Sequence, residues 1–175
     1  MQVSKTKQIA IMGVYVALLI GGQLALSMIS GVEIVTVLLA GFAYYFGIKK
    51  GLVVASAFSI LRCFLFGFFP NVIILYLIYY NLFVVVFGAL GLLFKGETTP
   101  KNHVIIVVVA LVLTALFTAL DNFITPLYYG MNREAFVGYA LTSLYALIPQ
   151  LLCTFITVSL LFRPLIKVLK IAVKI

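Results

Sequence analysis

Charged residues are scarce in this sequence. Only 9% of its 175 residues are Asp, Glu, Lys or Arg, whereas 65% are apolar. A soluble domain carries about 25% charged and about 45–50% apolar residues, so the composition excludes an ordinary soluble globular protein. Each helix that spans a bilayer needs about 20 mainly apolar residues. We therefore expect an all-α integral membrane protein that forms a single domain over residues 1–175.

The groups on which enzymes rely are also few. The sequence has one histidine, His103, one aspartate, Asp121, and two cysteines, Cys63 and Cys153, each within an apolar run. An intramembrane aspartyl protease needs two aspartates, and a zinc protease needs a paired histidine motif. No glycine-rich phosphate-binding loop is present. The sequence predicts a protein that is not an enzyme and that holds no metal or cofactor.

Glycine, proline and charged residues divide the chain into six predicted spans. The second and third spans form one apolar block, which is split only by Lys49 and Lys50 between Gly47 and Gly51. A basic tail, 163–175, follows the last span, and its spacing predicts a helix along the inner membrane surface. The predicted spans are about 8–29, with Ser30 and Gly31 at its end, and about 33–48, 51–68, 71–94, 103–125 and 139–162.

The distribution of positive charge predicts the orientation. Cytoplasmic loops of membrane proteins carry an excess of Lys and Arg. With six spans and cytoplasmic N- and C-termini, the cytoplasmic segments hold ten of the twelve basic residues, and only Arg62 and Arg133 lie outside. The net charge of +8 is therefore explained by membrane topology and not by nucleic-acid binding. The cytoplasmic set is Lys5, Lys7, Lys49, Lys50, Lys95, Lys101, Arg163, Lys167, Lys170 and Lys174.

Polar side chains within the predicted spans fall in the outer half of the membrane. Such groups are costly in lipid, so each is a candidate for function. Together with aromatic residues they predict a cavity that opens to the outside. In the alternative, Asp121 pairs with Arg62 or Arg133, and Asn81 and Gln150 form hydrogen bonds between helices. The candidate ligand-binding residues are Glu33, Arg62, Asn81, Asp121, Asn122, Gln150, Tyr80 and Tyr145, with Tyr76 and Tyr139 as further aromatic candidates.

Small residues recur every fourth position in the first span, at Gly13, Ala17 and Gly21. Such a surface allows another helix to approach closely. With this feature the chain resembles the substrate-binding S components of energy-coupling factor (ECF) vitamin transporters, six-helix proteins whose first helix carries an AxxxA docking motif. The segments 40–51 and 66–70, and the basic tail after Pro164, are similar to the corresponding turns and tail of that family.

The resemblance implies a bundle of the S-component type and a role in import. Such a protein captures a vitamin or related micronutrient from outside the cell, and the loop between its first two helices acts as a gate. It then works with a transmembrane coupling subunit and two ATPase subunits in the plasma membrane, here of a bacterium. The sequence lacks tryptophan, which argues against a site like that of the thiamine-binding members. The vitamin itself stays open.

Two other classes of membrane protein fit the length. The first is a structural membrane subunit of a cell-wall or cell-shape assembly complex, which would need no polar cluster in the outer half. The second is an autonomous small-solute carrier, but many such carriers contain internal repeats, and the two halves of this chain show no convincing repeat.

Overall fold

The computed structural model describes residues 5–29 and 31–174, apart from the side chains of residues 173 and 174, and all regular structure in these ranges is helical. Within these ranges, four helices are long and apolar enough to cross a membrane, namely Lys5–Leu26, Pro70–Leu93, Pro100–Tyr128 and Arg133–Ala172. The prediction of an all-helical protein of membrane type is confirmed at this level. The helices are α1 Lys5–Leu26, α2 Val35–Phe46, α3 Ile48–Leu61, α4 Cys63–Phe66, α5 Pro70–Leu93, α6 Pro100–Tyr128 and α7 Arg133–Lys174.

The observed helices differ from the predicted spans in several places. Helix α1 ends at Leu26, and Ser30, which was expected to end the first span, lies outside the described residues. The third predicted span is divided into α3 and α4 at Arg62. Helix α7 has 42 residues and joins the sixth predicted span to the basic tail, with Pro149 and Pro164 inside it. The number of membrane crossings and the side of each terminus stay predictions.

Helix α2 forms the centre of the bundle. Its residues from Val35 to Tyr44 are all buried, which is typical of a helix that is apolar on every side. It contacts α1, α3, α5 and α7. At about 1.5 Å per residue its 12 residues span about 18 Å, less than the hydrocarbon core of about 30 Å. Helix α2 is therefore shorter than the hydrocarbon core, and the polar cavity lies at its N-terminal end.

A single glycine connects α2 to α3. Gly47 has φ +83°, a left-handed conformation that residues with a Cβ rarely adopt, and Lys49 and Lys50 belong to the first turn of α3. Helix α5 packs directly against this connection. A Cβ on Gly91 would lie 2.1 Å from the carbonyl oxygen of Tyr44, and one on Gly88 would lie 2.9 Å from the backbone nitrogen of Ile48. The two glycines thus permit close backbone contact between α5 and the connection, beside a surface recess of about 370 Å³.

The interior between the Gly47 connection and the cavity is filled by aromatic rings. Phe42, Phe83, Phe87 and Phe162 are each completely buried. The rings of Phe83 and Phe87 have centroids 4.6 Å apart, and the Tyr79 ring lies 5.7 Å from Phe83. This set of four phenylalanines, the aromatic core, packs the interior of the bundle between the cavity and the Gly47 connection.

Helix α1 packs on the bundle along one side only. Tyr15, Val16 and Leu19 are buried, and the hydroxyl of Tyr15 donates a hydrogen bond of 2.8 Å to the carbonyl oxygen of Leu38 in α2. The opposite side of α1 is exposed within the described part of the molecule. Helix α1 is therefore held by a narrow face and presents a second face to its surroundings.

Candidate functional site

A cavity of about 220 Å³ lies at the N-terminal end of α2, between α5, α6 and α7. The loop between α1 and α2 covers one side of it, and helices α1, α2 and α4 to α7 supply the rest. Its polar lining combines one carboxyl group with amides, phenols and hydroxyls. The polar lining residues are Gln23, Ser27, Glu33, Thr36, Tyr76, Tyr79, Tyr80, Thr114 and Gln150.

Glu33 lies in the loop just before α2 and is held there from two directions. The hydroxyl of Thr36, in the first turn of α2, donates a hydrogen bond to Oε1 of the Glu33 carboxyl. The backbone N–H of Glu33 donates to Sγ of Cys153 at 3.2 Å, and the Cys153 thiol donates to the Glu33 carbonyl oxygen at 3.2 Å. Glu33 is therefore positioned by both α2 and α7.

Gly31 brings the same loop against α7. Its φ of +78° lies in the left-handed region, and a Cβ at this position would fall 2.7 Å from Cβ of Pro149. Gln150, the residue after that proline, lines the cavity, and its side-chain amide forms no hydrogen bond with the described residues. The loop thus covers the cavity from a position set by α7, and the Gln150 amide keeps its hydrogen-bonding capacity.

Arg62 lies next to the cavity without lining it. Its Nε donates a hydrogen bond of 3.1 Å to Oε1 of Gln23, and its guanidinium carbon lies 4.3 Å from the ring centroid of Tyr76. A second ring, Phe66, is 4.8 Å away. With 8% of its surface exposed, Arg62 is buried. The cation–π contacts and the amide stabilise a buried charge that would otherwise be costly.

Three tyrosines of α5 form an aromatic surface on the cavity. Tyr76 and Tyr80 meet edge to face with centroids 5.0 Å apart, and Tyr79 lies 5.0 Å from Tyr80. Phe117 of α6 completes the cluster at 5.8 Å from Tyr76 and 4.9 Å from Tyr79. Tyr76 and Tyr80 are one helical turn apart, so both face the same side of α5.

A second recess of about 260 Å³ adjoins the first, because Phe117 and Gln150 line both. It contains Asp121, whose carboxylate accepts hydrogen bonds of 2.7 Å from the hydroxyls of Thr125 and Tyr139. The predicted alternative, an ion pair between Asp121 and Arg62 or Arg133, is not formed. Asp121 therefore belongs to a hydroxyl network beside the main cavity.

Asn122 follows Asp121 on α6 and faces α7. Its Nδ2 donates a hydrogen bond of 2.8 Å to Oγ of Ser143, whereas its buried Oδ1 has no partner. The residue lines neither of these two cavities. Asn122 thus contributes to the contact between α6 and α7 near the second recess.

Two predicted ligand-binding residues lie away from the cavity. Asn81 faces α3, where its Oδ1 accepts a hydrogen bond of 3.1 Å from Ser56 and its Nδ2 donates to the carbonyl oxygen of Leu77 at 2.8 Å. This is the interhelical hydrogen bond that was considered as the alternative. Tyr145 is 81% exposed on the outside of α7. The position of a residue along a helix does not decide whether its side chain faces the cavity, because that depends on the rotation of the helix about its own axis.

Several lining residues were not among the sequence predictions. Gln23, Thr36, Tyr79 and Phe117 all contribute to the cavity. Gln23 offered a signal, since it is a polar residue within an apolar span and such residues are candidates for function. Thr36 lies three residues after Glu33, a spacing that brings two side chains together on a helix. Nothing in the local sequence distinguishes Phe117 from other apolar residues of α6.

The small residues of α1 lie on its exposed face. Gly13, Ala17 and Gly21 are all exposed, and a Cβ on either glycine would meet no atom within 4 Å. These three residues, the α1 stripe, form an open surface on the side of α1 that faces away from α2 and α3. They take no part in the cavity.

The chemistry available at the cavity is binding by hydrogen bonds and aromatic contact. Among residues 5–29 and 31–174, no group of three His, Cys, Asp or Glu side chains could hold a metal ion. Comparison with known protein families, with curated proteins and with solved structures finds no match to this chain. The geometry of the cavity and of the α1 stripe is therefore the basis on which a function can be argued.

Proposed function

We propose that this protein is the substrate-capturing subunit, or S component, of an ECF-type importer in the plasma membrane of a bacterium. In this proposal the chain crosses the membrane six times, with α2 and α3 as two short spans joined at Gly47. Both termini lie in the cytoplasm, and the cavity opens to the outside. The ligand is a vitamin or related micronutrient. A transmembrane coupling subunit and two ATPase subunits supply the energy.

The observation that carries the proposal is the cavity and its cover. A volume of about 220 Å³ at one end of an apolar bundle is lined by a carboxyl, two amides and three tyrosines. Polar groups in a membrane protein are costly, and a small polar ligand bonded to several of them offsets that cost. The loop above them is held by Gly31 and Glu33 against α7, so it can act as a gate that opens when these two contacts break.

The packed aromatic interior of the bundle argues against an autonomous carrier. A carrier exposes its site to each side in turn, and in many carriers two repeats move against each other. Here the aromatic core fills the interior between the cavity and the Gly47 connection. A protein that binds a ligand but has no path through it needs a partner for delivery, as a capturing subunit does.

The α1 stripe supplies a surface for that partner. An exposed stripe of small residues suits close packing of another membrane helix, whereas contact with lipid alone does not require small side chains. The competing hypothesis, a structural subunit of a cell-wall or cell-shape complex, explains the stripe equally well. It does not explain the polar cavity.

The test is whether the protein carries a small molecule. The protein is purified from membranes and then denatured, and the released compounds are identified by mass spectrometry. We expect one compound in stoichiometric amount. Gln150→Phe, which places a ring in the cavity, should be recovered empty. Leu152→Phe, at a position that is 58% exposed on the same helix, should retain the compound. A wild-type protein that is always empty and shows no ligand-induced thermal shift would favour the structural subunit.

The orientation is tested separately with reporters. A reporter at either terminus should be cytoplasmic, and a tag inserted between residues 129 and 138 should be accessible from outside. An inaccessible tag would contradict the six-span topology without affecting the binding result.

A further inference from the structure

The hydrogen bonds beside the cavity fix which atoms of Gln23 and Tyr76 face the ligand. Arginine can only donate, so the Gln23 atom that meets Arg62 Nε at 3.1 Å is the accepting Oε1. The amide nitrogen of Gln23 then points to the phenol oxygen of Tyr76, at 3.5 Å. That oxygen accepts, and no described residue accepts the hydroxyl hydrogen of Tyr76. Tyr76 therefore offers a hydrogen-bond donor to the cavity.

Glu33, in contrast to Tyr76, offers a hydrogen-bond acceptor to the cavity. Its Oε1 accepts the Thr36 hydroxyl, and Oε2 receives no hydrogen bond from the described residues. An ionised carboxyl group only accepts hydrogen bonds. Among the described residues that line the cavity, Glu33 is the one charged side chain. Arg62, the neighbouring cation, is covered by the Tyr76 and Phe66 rings and is engaged by Gln23. Burial raises the pKa of the Glu33 carboxyl, whereas an N–H donor or a cation bound at Oε2 favours its ionised form. The cavity thus favours a ligand that donates hydrogen bonds, and it offers no accessible positive charge.

The size and walls of the cavity limit the shape of the ligand. A closed cavity of about 150 Å³ is sufficient for benzene, so about 220 Å³ suits one or two fused rings. The rings of Tyr76, Tyr79 and Phe117 lie around this space with centroids 4.9 to 5.8 Å apart where they meet. Aromatic walls favour a flat ligand, because rings attract one another in stacked and edge-to-face arrangements.

We infer that the cavity binds a small, flat nitrogen heterocycle that is neutral or cationic. One edge carries N–H donors, such as a ring N–H beside an exocyclic amino group, for the carboxyl of Glu33. Another atom of the ligand, a carbonyl oxygen or a ring nitrogen, accepts from the Tyr76 hydroxyl. The side-chain amide of Gln150 can either donate a hydrogen bond to the ligand or accept one from it. This assignment rests on the proposed function, since it names the class of molecule that the subunit captures. It excludes ligands that place a carboxylate or phosphate in this cavity.

Three pyrimidines of similar size test the inference on the wild-type protein, with affinity measured by calorimetry on ligand-free protein in lipid nanodiscs. Isocytosine (2-aminopyrimidin-4-one) has the required N–H edge, pyrimidin-4-one lacks the amino group, and uracil has a carbonyl oxygen in its place. We expect isocytosine to bind at least tenfold more tightly than pyrimidin-4-one, a difference of about 1.4 kcal/mol. Uracil should bind more weakly still, and benzoate, a flat anion, should not bind.

Amino-acid substitutions test whether the Glu33 carboxyl and the Tyr76 hydroxyl cause the preference for isocytosine. Glu33→Gln should reduce the affinity for isocytosine at least tenfold and should reduce the difference between isocytosine and uracil. Tyr76→Phe should weaken the binding of isocytosine severalfold. Glu134→Gln makes the same chemical change at an exposed position. It should alter neither the affinity for isocytosine nor the difference between isocytosine and uracil. The comparison of pyrimidines on the wild type does not depend on the folding of any variant.

The possible failures are distinguishable. The chemical class is wrong if isocytosine does not bind, if it binds no more tightly than pyrimidin-4-one, or if benzoate binds. If the wild-type protein nevertheless releases a stoichiometric compound on denaturation, the proposed capturing function is retained and only the proposed chemical class of the ligand is wrong. If it binds no probe and releases no compound, both the class and the capturing function are overturned.

Discussion

The Sγ of Cys153 lies 3.2 Å from the backbone nitrogen of Glu33 and 3.2 Å from its carbonyl oxygen. The two residues are 120 positions apart in sequence, on α7 and in the loop between α1 and α2. A thiol is a weak donor and a weak acceptor, and here it uses both capacities on one residue. The loop that covers the cavity is therefore held to α7 by bonds that can open at low energetic cost.

Removing this thiol should loosen the loop. Cys153→Ala should raise the hydrogen-exchange rate of the segment 31–34 severalfold, because the Glu33 amide loses its acceptor. The measurement is hydrogen exchange followed by mass spectrometry. Cys63→Ala is the control, since the Cys63 thiol bonds only to the carbonyl oxygen of Ser59 within its own stretch of chain. Equal exchange in the two variants would contradict a role of Cys153 in holding the loop.

Gly31→Ala should destabilise the protein by more than its backbone conformation alone requires. A left-handed conformation costs a residue with a Cβ roughly 1–2 kcal/mol, and the new methyl group would also meet Pro149 at 2.7 Å. Gly130→Ala is the matched control, because Gly130 has φ +59° and open space around it. Thermal unfolding should show a larger loss for Gly31→Ala. Equal losses would mean that the contact with Pro149 yields without cost.

The α1 stripe should matter for uptake and not for binding. Gly13→Leu and Ala17→Leu each add a bulky side chain to an exposed face that takes no part in the cavity. We expect uptake by cells to be abolished while the purified protein keeps its melting temperature and its ligand. Ala119→Leu, an equivalent change on the exposed surface of α6, should leave uptake normal. Normal uptake in both α1 variants would remove the docking role of the stripe.

The hydroxyl network around Asp121 should contribute to stability. Tyr139→Phe removes one of two hydrogen bonds of 2.7 Å to the carboxylate and should lower the free energy of unfolding by about 1 kcal/mol. Tyr145→Phe is the matched control, because Tyr145 is 81% exposed and forms no hydrogen bond with the described residues. Chemical denaturation in mixed micelles measures both. An equal loss of unfolding free energy for Tyr145→Phe would show that the hydrogen bonds to Asp121 make no specific contribution to stability.

Asn81 and Gln150 should respond in opposite ways to truncation. Asn81→Ala breaks the bond to Ser56 on α3 and should lower the melting temperature while leaving the affinity for isocytosine unchanged. Gln150→Ala removes an amide that has no partner among the described residues. It should weaken isocytosine binding about tenfold, or about 1.4 kcal/mol, with little effect on stability. The same variants measured in both assays decide the question, and a reversed pattern would reassign the two residues.

The fold class and the ends of several helices could be predicted from the sequence because they depend on local chemistry. Apolar composition indicated a membrane-type helical protein, and four long apolar helices are present. Pro70 and Pro100 begin helices α5 and α6, as the fixed φ of proline favours. The break at Gly47 follows from a backbone conformation that suits glycine. The division of the third span at Arg62 could not be predicted, since Arg62 has helical backbone angles and nothing in the local sequence marks the break.

The lining of the cavity could be predicted from the sequence only in part. Glu33, Tyr80 and Gln150 line it, and each was singled out because polar and aromatic groups at that depth are costly or distinctive. Counting residues along a helix gives the depth of Asn81 and does not give the direction of its side chain. Arg62 was expected in the lining and instead lies behind Tyr76. Its position depends on Gln23, 39 residues earlier, and no local pattern contains that relationship.

The unequal lengths of α3 and α6 have a consequence for the surrounding lipid. Helix α6 has 29 residues, about 43 Å at 1.5 Å per residue, whereas α3 has 14 residues, about 21 Å. Val53, Ile60 and Leu61 of α3 are 45 to 56% exposed and would face lipid directly. In the proposed six-span topology α3 is one of the spans. Hydrophobic mismatch costs a fraction of a kcal/mol per Å, so the bilayer should thin beside α3 or the whole molecule should lean toward that side. We expect the annulus of lipid around this protein to be thinnest next to α3, and membranes with shorter acyl chains to accommodate it best.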